Sequence, residues 1–250
     1  AGDNPPEFLL THPVTSSRVS DALNAADQIE FSGGKKNTIN FEFVKGRLKA
    51  RYAPSSPQAT IRYFEQLSKE NPSNENKYAY LTALQGIGDF KKALILVDEL
   101  LSKYPKNLIL NITKSEIYLL AQELDKAKIQ IEQVLKISPG NYPASIIKSN
   151  ILSAQNKTIQ AEEIVRELLI SKNNDPHLWM LLSEIQRSGK NILGYHLSRG
   201  EYYLLLGDLE NALNQFQFAL RLSSNSFQTS ETIMTKIKYA QDRLGQKRGL

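Results

Sequence analysis

The sequence predicts an all-α fold of stacked helix-turn-helix units, and three observations predict it. Small residues recur at a 34-residue step, at Ala59, Ala93, Ala127 and Ala161. A larger residue follows each of them four positions on, at Tyr63, Val97, Ile131 and Val165, and Phe90, Leu124 and Thr158 keep the same 34-residue step. Residues four apart share a helix face, so each pair marks a buried stripe whose small member lets a neighbouring helix come close. Pro105 and Pro139 also keep the step and stop the second helix of each unit, since proline cannot continue a helix interior; Pro72 lies one residue out of step. A single unit cannot bury its own apolar face, so stacking is obligatory, and about ten or eleven helices are expected.

Taken in order, the chain opens differently from the rest. Thr15 can cap a helix, with Val14 and Val19 placed as a hydrophobic staple, and Val19, Leu23, Ala26 and Ile29 line one face as far as about Glu30. "SGGKKN", residues 32 to 37, reads as a flexible loop. "TINFEFV" alternates like a strand through Ile39, Phe41 and Phe43, but Phe41, Val44, Leu48 and Tyr52 also form a helical stripe. The repeat step places a first helix there, and helix is the assignment adopted. Further on, Gly88 in "GDFKKALILVDELLSKYP" supplies the sharp turn between the helices of one unit.

The phase changes near the C-terminus. Stepping 34 residues from Ala161 reaches Tyr195, which is not small. Yet in "GDLENALNQFQFAL" Ala212, Phe216 and Ala219 follow Gly207 as Ala93, Val97 and Leu100 follow Gly88. Ala93 and Ala212 are 119 residues apart, three and a half periods, which predicts an odd number of helices between them. Helices are expected at roughly 176–188, 193–206, 208–223 and 229–244, with an irregular C-terminal end.

The 34-residue unit with small, large and proline positions resembles the tetratricopeptide repeat, a helix-turn-helix module, over residues 37–250. That resemblance implies a superhelix whose first helices line a concave ligand surface. By the repeat step this face includes Phe41, Val44, Leu48, Tyr52, Tyr78, Thr82, Gln85, Ile109, Ile112, Glu116, Leu119, Ile146 and Asn150. Only Asn150 matches the lysine and asparagine set that carboxylate-clamp repeats use for an acidic C-terminus, so no such clamp is expected. An apolar face with some aromatics suits an extended or partly unfolded polypeptide instead.

Composition narrows the chemistry. The chain has 250 residues, 41% apolar and 23% charged, as in an ordinary globular protein, and a net charge of +5. No run of about 18 apolar residues exists, so no transmembrane segment is expected and any membrane association would be peripheral. No basic-then-apolar leader opens the chain, which points to a leader already removed or to a fragment of something longer. With no cysteine there are no disulfides, thiolate metal sites or cysteine nucleophiles. The best basic stretch, "VKGRLKARY", puts Lys45, Lys49 and Tyr52 roughly on one face, too little for a nucleic-acid surface, and no nucleic-acid partner is expected.

Catalytic motifs are missing. There is no Gly-x-Ser-x-Gly elbow, no Gly-x-x-x-x-Gly-Lys phosphate loop and no His-Glu-x-x-His. The three histidines are His12, His177 and His196. Two histidines without a third ligand make a poor zinc site, so no metal site is expected, and His177 and Trp179 read as the packed start of a helix. Arg199 and Glu201 read as members of a structural ion-pair network.

"PPEFLLTHPVTSSRVSDA", residues 5 to 22, resembles the segment that closes the peptidase domain of HtpX-related zinc metallopeptidases, where a Thr-His-Pro loop runs on to an arginine that starts a helix. "HLSRGEYYLLLGDLENALNQFQFAL", residues 196 to 220, resembles the C-terminal pattern of the periplasmic BepA/YfgC-like branch of that family. The resemblance implies that residues 1–36 end a peptidase domain and that the zinc-binding helices precede residue 1. The chain by itself would then hydrolyse nothing and hold no cofactor, while its parent would be a zinc endopeptidase. It implies a cleft-side or gating role for His12 and an ion pair between Arg18 and the missing domain; a turn histidine and a surface arginine are the plain alternatives. It also implies a periplasmic location and a role in outer-membrane protein assembly and quality control, with polypeptide segments or outer-membrane assembly proteins as partners. The alternative is a free-standing repeat adaptor that scaffolds a complex.

Overall fold

The computed structural model describes Ser20, Asn24 and residues 38–224 and 226–248. His12, Arg18, the apolar stripe Val19, Leu23, Ala26 and Ile29, and the loop at 32–37 lie outside the described residues. Residues 39–250 form one compact unit. Among the described residues of that unit there are twelve helices and no strand, against the ten or eleven expected. They are α1 (Ile39–Arg51), α2 (Pro57–Glu70), α3 (Asn74–Ile87), α4 (Phe90–Lys103), α5 (Leu108–Leu120), α6 (Leu124–Ile137), α7 (Tyr142–Ala154), α8 (Thr158–Ser171), α9 (Pro176–Ser188), α10 (Ile192–Leu205), α11 (Leu209–Leu222) and α12 (Phe227–Arg248).

Asn74, Leu108, Tyr142 and Pro176 open successive first helices at 34-residue steps, and Phe90, Leu124, Thr158 and Ile192 open the second helices at the same step. Side-chain caps mark six of these eight starts, while Glu123 and Lys157, ahead of Leu124 and Thr158, make no side-chain cap bond. Ser73, Asp89, Asn107, Asn141, Asp175 and Asn191 each accept a hydrogen bond from a backbone N–H of the following turn, satisfying a donor the helix cannot. The turn within each unit repeats as well. Gly88, Gln122, Asn156 and Lys190, each 34 residues apart, all take positive φ, at 80°, 61°, 61° and 58°.

The front of the array departs from the expected step. α2 starts at Pro57, 33 residues before Phe90, because Ser56 caps it and Pro57 is set for the first helical turn. The buried small–large pair of α2 is therefore Thr60 and Phe64, not Ala59 and Tyr63. Ala59 is half-buried and Tyr63 is 61% exposed. Pro72, one residue out of step, reflects the same shift.

At the other end, Gly207 repeats the positive-φ turn (φ 73°) only 17 residues after Lys190, half a period. α10 thus forms a tight hairpin with α9 before it and with α11 after it, packing closely on both. The helices at the C-terminal end fall close to the expected bounds, but the expected odd count is wrong: six helices, α5 to α10, separate α4 from α11. The sequence pattern recurs because two hairpins share a helix. At α10 the small residues that permit this are Gly194, Ser198 and Gly200, all buried, and a Cβ on Gly200 would lie 2.3 Å from the Phe216 ring.

The core runs as successive clusters along the array. Phe43, Phe64, Tyr78, Leu81, Leu84, Val97, Leu100 and Ile117 form the first; Ile131 and Ile151, Val165 and Leu182, and Phe216 and Ile233 belong to later ones. Ala93, Ala127, Ala161 and Ala212 are fully buried, as the small positions require. α1 packs on α3 with unusual closeness at Gly46, where a Cβ would lie 2.4 Å from the Glu75 carbonyl oxygen. Helix backbones can come this near only where a side chain is absent. The packed stripe of α1 is accordingly Phe43, Gly46, Arg47 and Ala50. Phe41, Val44, Leu48 and Tyr52, assigned above to the inner face, are about half to three-quarters exposed.

Candidate functional site

The close approach of α1 to α3 brings a guanidinium over the buried end of Tyr78. Arg47 Nη2 donates to Tyr78 OH (3.0 Å), Thr113 Oγ1 (3.2 Å) and Glu116 Oε2 (3.2 Å), joining α1, α3 and α5. Thr113 donates to the Ile109 carbonyl (2.8 Å), and Tyr78 OH lies 2.6 Å from Thr113 Oγ1. Burial pushes the Tyr78 hydroxyl above its ordinary pKa. Burial works against the charge on Arg47, but Tyr78 and Glu116 outweigh it and hold the guanidinium above its ordinary value. Beside it, Lys45 and Lys49 both pair with Glu75; burial raises that carboxyl, yet the two lysines bring it below the usual range.

Above this network lies a groove of about 460 Å³, lined by Arg47, Arg51, Ser55, Thr60, Thr82, Gln85 and Glu116, with Ala50, Ala53, Ala83 and Leu120 as its apolar walls. A second hollow of about 500 Å³ shares Ala53, Ser55 and Thr60 with it and is walled by Tyr52, Pro54, Tyr63, Phe64 and Leu67. The first is mainly polar and the second mainly aromatic and apolar, and Ala53, Ser55 and Thr60 are common to the walls of both. Tyr52 is 78% exposed.

Of the residues the sequence nominated, Thr82, Gln85 and Glu116 line the groove and Tyr52 lines the adjoining hollow. Tyr78 is fully buried and reaches the site only through its hydroxyl, a correction that follows from the Phe43 and Tyr78 rings packing at 5.2 Å. Ile109, Ile112 and Ile146 are half-buried against the core, and neither they nor Asn150 line either hollow. Arg47, Arg51, Ser55 and Thr60 escaped the sequence reading. Gly46 in the middle of a helix was the available signal, since it marks the side on which another backbone comes close.

A third hollow, about 390 Å³, lies among α9, α10 and α12, lined by Trp179, Gln186, Ser198, Glu201 and Lys236 among others. Glu201 pairs with Lys236 and not with Arg199, which instead lies over the rings of Tyr202 and Tyr203 at 5.6 and 5.0 Å. Trp179 is partly buried and donates to the Asn173 carbonyl at 2.6 Å. His196 Nδ1 meets Gln215 Oε1 at 2.8 Å and its ring stacks on Phe218. His177 is exposed. Among the described residues no group of three or more His, Cys, Asp or Glu side chains could hold a metal ion. No helix among them is long and apolar enough to cross a membrane.

No family model matches the chain. Among curated proteins it is similar to the beta-barrel assembly-enhancing protease of Escherichia coli (strain K12), 25% identical over 217 residues, 84% of this chain and 43% of that one. It is likewise similar to the protein of that name from Yersinia pestis, 27% identical over 185 residues, 72% of this chain and 37% of the relative. The chain thus spans less than half the length of these relatives. Among solved structures it matches a tetratricopeptide repeat protein from Parabacteroides merdae with a TM-score of 0.50 and 16% identity, over 90% of this chain and 92% of that one. The fold is a tetratricopeptide-repeat array.

Proposed function

We propose that this array is the non-catalytic, polypeptide-binding region of a periplasmic zinc-dependent endopeptidase concerned with assembly and quality control of outer-membrane β-barrel proteins. The observation that carries the binding role is the groove among α1, α2, α3 and α5, with its fixed guanidinium and several hydroxyls, together with the separate hollow walled by the exposed Tyr52 and Tyr63. Such a surface offers hydrogen bonds to an extended backbone and stacking area to apolar side chains. The protease context rests on the likeness to the beta-barrel assembly-enhancing proteases and on the resemblance of residues 5–22 to the end of a zinc peptidase domain. The described residues do not fit a zinc site, so no hydrolytic step is assigned to them.

The test is a fluorescence titration of a labelled, permanently unfolded polypeptide with the whole chain and with a Tyr52→Ser, Tyr63→Ser variant. Both tyrosines are exposed, so the variant keeps the fold. Burying an aromatic side chain contributes roughly 1.5–3 kcal/mol, so binding should weaken at least about tenfold for the double variant. Equal affinities for the two proteins, or no binding of unfolded polypeptide at all, would remove the reading.

A further inference from the structure

We infer that α10, α11 and α12 form one body that swings against the helices before it, on a polar seam between α9 and α10 that acts as a hinge in the array. This motion is independent of the binding role proposed above.

The apolar core is linked from cluster to cluster as far as α9 and then breaks. α5 gives Leu110 and Ile117 to the first cluster and Leu108 and Leu119 to the next, and α7 gives Ile151 to that one and Leu152 to the one after. A helix that serves two clusters ties them together, because parting them would expose apolar surface on both. Beyond α9 the tie is missing. Leu178, Leu182 and Ile185 of α9 belong to a cluster built with α7 and α8, the last cluster is built from α10, α11 and α12, and among the described residues no helix contributes to both. α10 gives Leu193, Leu197, Tyr203 and Leu204 to that last cluster, and its buried residues are Gly194, Ser198 and Gly200.

The groups that meet across the seam are small or polar. Ser198 Oγ donates to Gln186 Oε1 at 2.7 Å, and both side chains are buried. Gln186 Nε2 donates on to Glu162 of α8 at 3.0 Å, and a Cβ on Gly194 would lie 2.7 Å from that same nitrogen. The two backbones are therefore close because side chains are small there, and little apolar area is covered between them. Arg199 reaches Met180 Sδ, a weak acceptor, at 2.8 Å, and its Nε is buried with no hydrogen bond among the described residues. Water replaces such bonds at little net cost and satisfies the bare Nε as well, whereas it cannot replace apolar contact. Within the last three helices the ties are different: Glu201 pairs with Lys236, and His196 meets Gln215 and stacks on Phe218. The hollow of about 390 Å³ lies along the seam, with Gln186 on one side and Ile233 and Lys236 on the other, so a swing has room. Three residues, Gly189, Lys190 and Asn191, carry the chain across, and a few residues at element ends are enough to absorb a hinge rotation.

The chain has no cysteine, so pairs of spin labels can be placed on exposed positions of the whole chain. Ile170→Cys with Phe227→Cys spans the seam, Ile129→Cys with Ile170→Cys lies before it, and Ile192→Cys with Phe227→Cys lies after it. Pulsed electron–electron double resonance should give the spanning pair a distance distribution at least about twice as wide as either control, as motion between two rigid parts requires. Adding Gln186→Met and Ser198→Ala makes the seam apolar at nearly constant shape, and the spanning distribution should then narrow to the width of the controls. A spanning pair no wider than the controls would overturn the hinge. An equally wide Ile192→Cys, Phe227→Cys pair would also overturn it, since the last three helices would not be one body. An unchanged width in the seam variant would remove the polar contacts as its cause. Should that variant fail to fold, the three pairs in the otherwise unaltered chain still decide.

Discussion

At the scale of single residues, Arg47 is the group on which the site turns. One nitrogen serves a buried tyrosine, a buried threonine and a half-buried glutamate from two other helices. Replacing it with Met should leave Glu116 and Tyr78 short of a donor and cost about 1–3 kcal/mol, read as a shift in the urea midpoint, whereas Arg51→Gln should change stability by less than about 0.5 kcal/mol. A second residue gives a pH signature. Tyr142 donates to Asp175 Oδ2 at 2.5 Å, and burial together with that carboxylate pushes its hydroxyl up to about 12. A hydroxyl with a folded pKa above its unfolded value of about 10 stabilises the fold below that value and loses the contribution as pH rises toward about 12. Wild type should therefore exceed Tyr142→Phe in stability at about pH 9 and converge on it toward about pH 12; a gap independent of pH would show that the bond does not govern the titration. Neither residue stood out in the sequence. Arg47 lies among three other basic residues between 45 and 51 and its partners are 31 to 69 positions away, so only the packing of three helices reveals it.

At the scale of elements, most of the array was legible because its signals are local. A helix cap, a positive-φ turn and a small residue every 34 positions depend on neighbours within a few residues, and the C-terminal helix bounds follow from them. What was missed involved choices between faces or single-residue slips. Periodicity alone made Phe41, Val44, Leu48 and Tyr52 as good a stripe as Phe43, Gly46, Arg47 and Ala50; the close approach at Gly46 decides between them. The αL turn offers an element-level prediction. Lys190 takes φ 58° at the position where Gly88 takes φ 80°. A β-carbon in the left-handed region costs roughly 1–2 kcal/mol, partly offset by the greater freedom of an unfolded glycine. Lys190→Gly should stabilise the protein by about 0.5–1 kcal/mol in thermal or urea denaturation, and a loss of stability would mean that the lysine side chain makes a compensating contact.

At the scale of the whole molecule, the array is one portion of a larger plan in its relatives, since the chain spans less than half the length of the curated proteins it matches. The repeat fold supplies a surface, and on it Arg51 lines a groove with no carboxylate partner among the described residues while Tyr52 and Tyr63 stand exposed. Both features adjoin the loop that joins α1 to α2, although the repeat pattern treats all units alike. The sequence reached this region through Tyr52, Thr82, Gln85 and Glu116 but not through Arg47, Arg51, Ser55 or Thr60, because the groove depends on the shifted start of α2 and the close packing of α1. Amide hydrogen exchange on the whole chain, with and without a saturating unfolded polypeptide, tests the claim most directly. The account predicts slowed exchange concentrated at residues 47–67 and 82–86, with α9 to α12 unchanged. Slowed exchange confined to α9 to α12, or none at residues 47–67 while polypeptide is bound, would contradict it.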